Sequence, residues 1–148
     1  MLTVKELLDS LNNPRLSIVE TGCEYTGYIA EWVASHPEST YNCVDLNFSL
    51  LLRTHRELEE NHTARYCTFR SQDHEKWLLG MTWLDAAFLT PESLAAGLGE
   101  FGLAMSAGAK LIVMSDYQGK SAWAIKQAKE FGWAYIAAAN GMNVLRRP

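Results

Sequence analysis

The stretch LSIVETGCEYTGYIAEWVA, residues 16–34, decides the fold. Its first five residues, LSIVE, are apolar and β-branched, the pattern of a strand covered on both faces. Its last third repeats apolar residues at helical spacing, and His36-Pro37 stops that helix over 27–35. Between them lies a turn that holds Glu20, Gly22 and Gly27. A strand that passes through a glycine turn into a helix is the opening half of a βαβ unit.

Outward from this stretch the same alternation continues. A helix over 3–12, striped by Val4, Leu7, Leu8 and Leu11, precedes it and ends at Pro14. YNCVDL (41–46) is a second strand. Residues 48–60 form a helix with Phe48, Leu51, Leu52 and Leu58 inward. ARYCTF (64–69) is a third strand, 73–80 a short helix, and LDAAFL (84–89) a fourth strand. Residues 91–108 form a helix opened by Pro91, with Thr90 as its N-cap. AKLIVMSD (109–116) is a fifth strand and 121–132 a helix. AYIAAANGMNVLRRP ends the chain as two strands about Asn140-Gly141, a two-residue hairpin signal. The expected architecture is α/β: a mostly parallel sheet between two helical layers, joined by right-handed crossovers, with an antiparallel C-terminal hairpin. At 148 residues it is read as one domain, 1–148.

Composition narrows the function. Apolar residues make up 48% and charged residues 20%, so the chain is globular. A formal charge of −4 leaves no basic footprint for nucleic acid. There is no apolar run of membrane-spanning length and no signal peptide, so a cytoplasmic setting is expected. Cys23, Cys43 and Cys67 are odd in number and lack CxxC spacing, which argues against a disulfide framework or zinc site. Cys43 and Cys67 read as small buried hydrophobes, and Cys23, in the turn, as the candidate reactive thiol. Trp32, Trp77, Trp83, Trp123 and Trp133 read mostly as core, and His74 stands beside a candidate ligand site.

In an open α/β sheet, ligands bind beyond the carboxyl ends of the strands. There the sequence places Glu20, Gly22, Tyr25 and Gly27, then Asp45 and Asn47, then Gln72 and Asp73, and finally Asp116, Tyr117 and Lys120. Asp45 ends the second strand about 25 residues after the glycine turn, where a carboxylate bridges a ribose diol. Its bland alternative is an N-cap of the helix at 48. The turn is not GxGxxG, and Glu20 and Glu24 would repel a pyrophosphate. A cationic cofactor tolerates them, which points away from NAD and ATP and toward S-adenosylmethionine.

The pieces IVETGCEYTGYIAEWVA, VDLN, FRSQDHEKWL, LDAAFLTPE, AKLIVMSDYQG and the terminal hairpin stand in an order that resembles the class I S-adenosylmethionine-dependent methyltransferases. The closest likeness is to the small-molecule O-methyltransferase and cephalosporin-hydroxylase-like branch. The resemblance covers nearly the whole chain. It implies a Rossmann-like, seven-stranded sheet in the order 3-2-1-4-5-7-6 and methyl transfer to an oxygen or nitrogen of a small molecule. It assigns Glu20 and Gly22 to the methionine end, Asp45 to the ribose, and Gln72 or Asp73 to the adenine. Beside this assignment, Tyr25 reads either as a ring that covers the sulfonium or as a half-buried loop aromatic.

Two departures stand out. Thr26 occupies a place where relatives carry glycine, and its β-branch resists positive φ. Thr90 stands where metal-dependent relatives carry an acid, which leaves Asp116 alone and a divalent metal unexpected. Asp116 is then the candidate base, with Tyr117 and Lys120 behind it. No insertion forms a substrate lid. Either the N-terminal helix and a partner copy in a homo-oligomer enclose the substrate, or the chain is a non-catalytic binding or assembly module. Another Rossmann-like nucleotide binder is the remaining alternative.

Overall fold

Alternation along the strands sends neighbouring side chains into two separate cores, and both are filled. The computed structural model describes residues 3–137 and 141–148. In β1 (Ser17–Thr21) Ile18 faces one side and Val19 the other. In β4 (Ala86–Leu89) Phe88 opposes Leu89, and in β5 (Leu111–Ser115) Val113 opposes Ile112 and Met114. All of these are fully buried, as a sheet sandwiched between helices requires.

The first core is closed by α1 (Val4–Asp9), α2 (Thr26–Ser35) and α3 (Phe48–Glu60). The second is closed by α4 (His74–Leu79), α5 (Leu94–Ser106) and α6 (Ala122–Glu130). With β2 (Thr40–Val44), β3 (Thr68–Arg70), β6 (Ala134–Ala137) and β7 (Met142–Arg146), the sheet has seven strands in the order β3-β2-β1-β4-β5-β7-β6. The first five strands run parallel, and β7 is antiparallel to both β5 and β6. The expected Rossmann-like sandwich is what forms. The hairpin is present, with Ala137 opposite Asn143, whereas Asn140 of its expected turn lies outside the described residues. Among the described residues no helix is long and apolar enough to cross a membrane.

Several boundaries differ from the expectation. Residues 64–66 form a 3-10 turn, so β3 begins only at Thr68; an edge strand has one neighbour to sustain its ladder. The helix after β4 starts at Leu94, because Ser93, not Thr90, accepts the Ala96 N–H as its N-cap. Along α3 the inward line is Leu51, Thr54 and Leu58. Phe48, in the first turn at the rim of the sheet, is 65% exposed, and Leu52, about 100° round from Leu51, is 41% exposed. Trp32 and Trp133 are core, but Trp83 and Trp123 are exposed, on a loop and on the outer face of α6.

Candidate active site

The turn after β1 is built around Glu20. Its carboxyl group is fully buried and takes hydrogen bonds from the Tyr25 N–H (2.6 Å), the Thr26 hydroxyl (2.7 Å) and the Tyr41 hydroxyl (2.5 Å). Burial pushes its pKa up to about 8 against the pull of these three donors. Both oxygens are therefore committed to the turn, the start of α2 and β2. Thr26 is the first residue of α2 and is not among the positive-φ residues, so its β-branch meets no strain. The left-handed position is Gly22, at φ +80°. A Cβ there would stand 3.1 Å from the Thr90 Cβ. Thr90 in turn donates its N–H to Thr21 Oγ1 and its hydroxyl to Glu24.

Across the neighbouring strand ends lies a bridge of three titratable groups. His74 Nε2 is 3.2 Å from Asp45 Oδ2, and His74 Nδ1 is 3.3 Å from Glu100 Oε1. Glu100 also accepts from the Thr21 hydroxyl at 2.8 Å. Burial pulls the imidazole pKa down, but the hydrogen bonds and charges of Asp45 and Glu100 outweigh it and push it up to about 10. For Asp45, burial acts to raise the pKa, and the His74 and Asn47 hydrogen bonds overcome it, so the carboxyl sits below the usual range. A histidine held through both ring nitrogens by separate carboxylates does not leave three ligands converging on one point. Among the described residues there is no metal-holding group of three such side chains.

The other candidates fall in separate places. Asn47 is the N-cap of α3, accepting the Leu50 N–H, while Asp45 accepts the Asn47 N–H. Asp73 caps α4 through the Lys76 N–H and also borders the His74 cleft; Gln72 beside it is exposed. Gly27 lies apart, on a groove with Tyr28, Glu31, Asn61 and Thr63. Tyr25 is buried, its ring tilted against Phe88, and burial raises its pKa. Its hydroxyl has no hydrogen-bond partner among the described residues. Beyond β5, Asp116 is exposed and held by the Asn143 amide at 3.0 Å, with Tyr117 and Lys120 packed on each other. Three strand spacings separate the ends of β2 and β5, about 14 Å.

Glu100, Thr21 and Tyr41 join the site although no motif in the sequence names them. Glu100 carried a signal, being the lone charge in the apolar helix LAAGLGEFGLAMS. Thr21 and Tyr41 carried none, because only strand pairing brings them to their partners.

The cleft bounded by Leu46, Asp73, His74, Glu75, Glu92, Ala96 and Glu100 has a volume of about 80 Å³. Its four acids, Asp73, Glu75, Glu92 and Glu100, outnumber its one cationic group, His74, which suits a cationic ligand that bears hydroxyls. Its volume is below the roughly 300 Å³ at which ligand pockets begin. As it stands the cleft is too small for a nucleoside, and Asp45, which does not line it, is engaged by His74 at 3.2 Å.

No family model and no curated protein matches this chain. Solved structures do. A methyltransferase from Geobacter sulfurreducens is 16% identical with a TM-score of 0.68, over 99% of this chain and 79% of that one. The magnesium protoporphyrin IX methyltransferase of Synechocystis PCC 6803, solved with bound S-adenosylmethionine, is 15% identical with a TM-score of 0.69, over 97% and 76%. A SAM-dependent O-methyltransferase from Thermotoga maritima is 10% identical with a TM-score of 0.70, over 100% and 67%. Taken with the strand order and the antiparallel β7, these likenesses show that the chain has the fold of the class I S-adenosylmethionine-dependent methyltransferases.

Proposed function

We propose that the chain binds S-adenosylmethionine at the carboxyl ends of β1, β2 and β4 and transfers its methyl group to an oxygen or nitrogen of a small molecule. The observation that carries this reading is the acid-rimmed cleft beyond the ends of β2, β3 and β4, whose Glu100 is tied to the end of β1 by the Thr21 hydroxyl. The Synechocystis neighbour, which shares the fold, was solved with that cofactor bound. The cofactor supplies an electrophilic methyl on a sulfonium. In this chain Asp45 accepts the ribose hydroxyls once His74 is released. Leu46, 64% exposed next to it, offers an apolar plane for the base. Gln72 or Asp73 takes the adenine amine. Gly22 lets the turn approach the methionine end. Glu20 holds that turn from beneath, since both its oxygens are engaged by loop and strand donors.

The acceptor belongs on the β5 side. Asp116 is the base for an acceptor that must lose a proton, oriented by Asn143, with Tyr117 and Lys120 lining the approach. Tyr117 is 64% exposed, so a second copy of the chain is a reasonable wall for this side.

A second reading, a non-catalytic module on the same fold, is favoured by the His74 bridge and the small cleft. Calorimetry with S-adenosylmethionine, S-adenosylhomocysteine and NAD separates the readings. Binding of the two sulfur compounds, lost in Asp45→Ala, supports the proposal, and binding of neither removes it. Binding gained only in His74→Ala would favour the non-catalytic module.

A further inference from the structure

β2 places Tyr41 and Cys43 on the same face, and Cys43 is fully buried beneath the glycine turn. Its sulfur lies 3.0 Å from the Gly22 carbonyl oxygen. The next residue of the turn is Cys23, partly exposed, and the two sulfurs are 3.5 Å apart. Twenty residues of sequence separate them, but the parallel register, with Cys43 opposite Glu20, folds the turn back onto β2. A disulfide needs about 2.05 Å between sulfurs, so closure asks for roughly 1.5 Å of movement. Cys23 sits in the turn between β1 and α2, outside both elements. Cys67 is buried and makes no sulfur–sulfur contact of this kind among the described residues.

We propose that Cys23 and Cys43 form a peroxide-sensitive dithiol that closes to a disulfide across the turn after β1. Cys23 is the sulfur an oxidant reaches, and the contact with the Cys43 sulfur holds its pKa below the ordinary thiol range. The Cys23 thiolate attacks hydrogen peroxide. The O–O bond breaks, hydroxide leaves and takes a proton to become water, and Cys23 becomes a sulfenic acid. The Cys43 sulfur then attacks Cys23, the S–O bond breaks, and a second water leaves with the Cys43 proton. In sum, two thiols are oxidised to one disulfide and one peroxide is reduced to two waters. The chemistry stands without the methyltransferase reading. Only its consequence rests on that reading: a turn tied to β2 at Cys23 loses the freedom to seat the cofactor's methionine end.

The test uses the full chain, reduced, treated with hydrogen peroxide, alkylated and cleaved after glutamate. Cuts at Glu20, Glu24, Glu31 and Glu38 put Cys23 and Cys43 on different peptides. The expected result is a Cys23–Cys43 cross-linked pair, a loss of two of the three alkylatable thiols, and full recovery with dithiothreitol. Cys67→Ala keeps the cross-link and Cys23→Ser abolishes it. Three alkylatable thiols after peroxide would overturn the proposal. So would a cross-link through Cys67, a disulfide between chains, or a Cys23 sulfenic acid that persists. Calorimetry with S-adenosylmethionine on the oxidised and reduced forms then reads the consequence. If the reduced chain binds no cofactor, the methyltransferase reading fails while the mass result still decides the thiol pair.

Discussion

His74 joins Asp45 to Glu100, and its removal is predicted to have an effect that depends on pH in one direction only. In His74→Gln the neutral amide keeps one or two hydrogen bonds and loses the positive charge. The folded pKa is raised, from 6.5 to about 10. The stabilisation is therefore fully present below about 6.5 and lost as pH rises through about 10. At about 1.4 kcal/mol per unit the shift corresponds to at most about 5 kcal/mol. The bridge lies at a cleft mouth, with the His74 and Asp45 side chains 11% and 13% exposed. Water screens it there, so the expected contribution is about 2–3 kcal/mol. Urea unfolding followed by tryptophan fluorescence, from pH 6 to 10.5, measures it, with Trp32 and Trp133 as buried reporters. The wild type should exceed His74→Gln by that amount at pH 6.5 and match it near pH 10.5. Taking the difference removes groups common to both proteins, Glu20 among them. A gap that stays constant across the range would refute the charged bridge and leave only packing.

The remaining predictions concern the turn, the ribose acid and the core. Glu20→Gln should flatten the stability profile between about pH 4.5 and 8, where the wild type loses stability with rising pH because the folded state keeps a proton that the unfolded state has released; unchanged profiles would place the titration elsewhere. Gly22→Ala should cost about 1–3 kcal/mol in urea unfolding, from φ +80° and the 3.1 Å approach to Thr90. Asp45→Asn should weaken S-adenosylmethionine binding in calorimetry by about tenfold or more, the loss of a charge-assisted hydrogen bond. Phe88→Ala, at a fully buried site in the centre of the sheet, should cost about 3–5 kcal/mol by the same unfolding measurement.

Much of the fold was legible because burial on both faces writes a local signal. Strands such as SIVET and LIVMS carry their coverage in their composition, and α3 began and ended where its periodicity placed it. The edges were less legible. Phe48 reads as core by spacing, yet it lies at the rim, where the sheet that would cover it has ended. Thr26 read as an obstacle because a one-dimensional pattern does not say which residue takes positive φ. In the fold that residue is Gly22, and Thr26 opens the helix.

The sequence by itself determined the alternating α/β class, the antiparallel finish and the acids gathered at the strand ends, because periodicity and turn chemistry act over a few residues. The tertiary structure alone decided what those acids do. Pairing of β1 with β2 brings the Tyr41 hydroxyl to Glu20 and Cys43 to Cys23, each about twenty residues away in sequence. Packing of α4 against α5 on one face of the sheet sets His74 between Asp45 and Glu100. A carboxylate's role depends on which donors and charges surround it, and those come from strands and helices that meet only when the chain has folded.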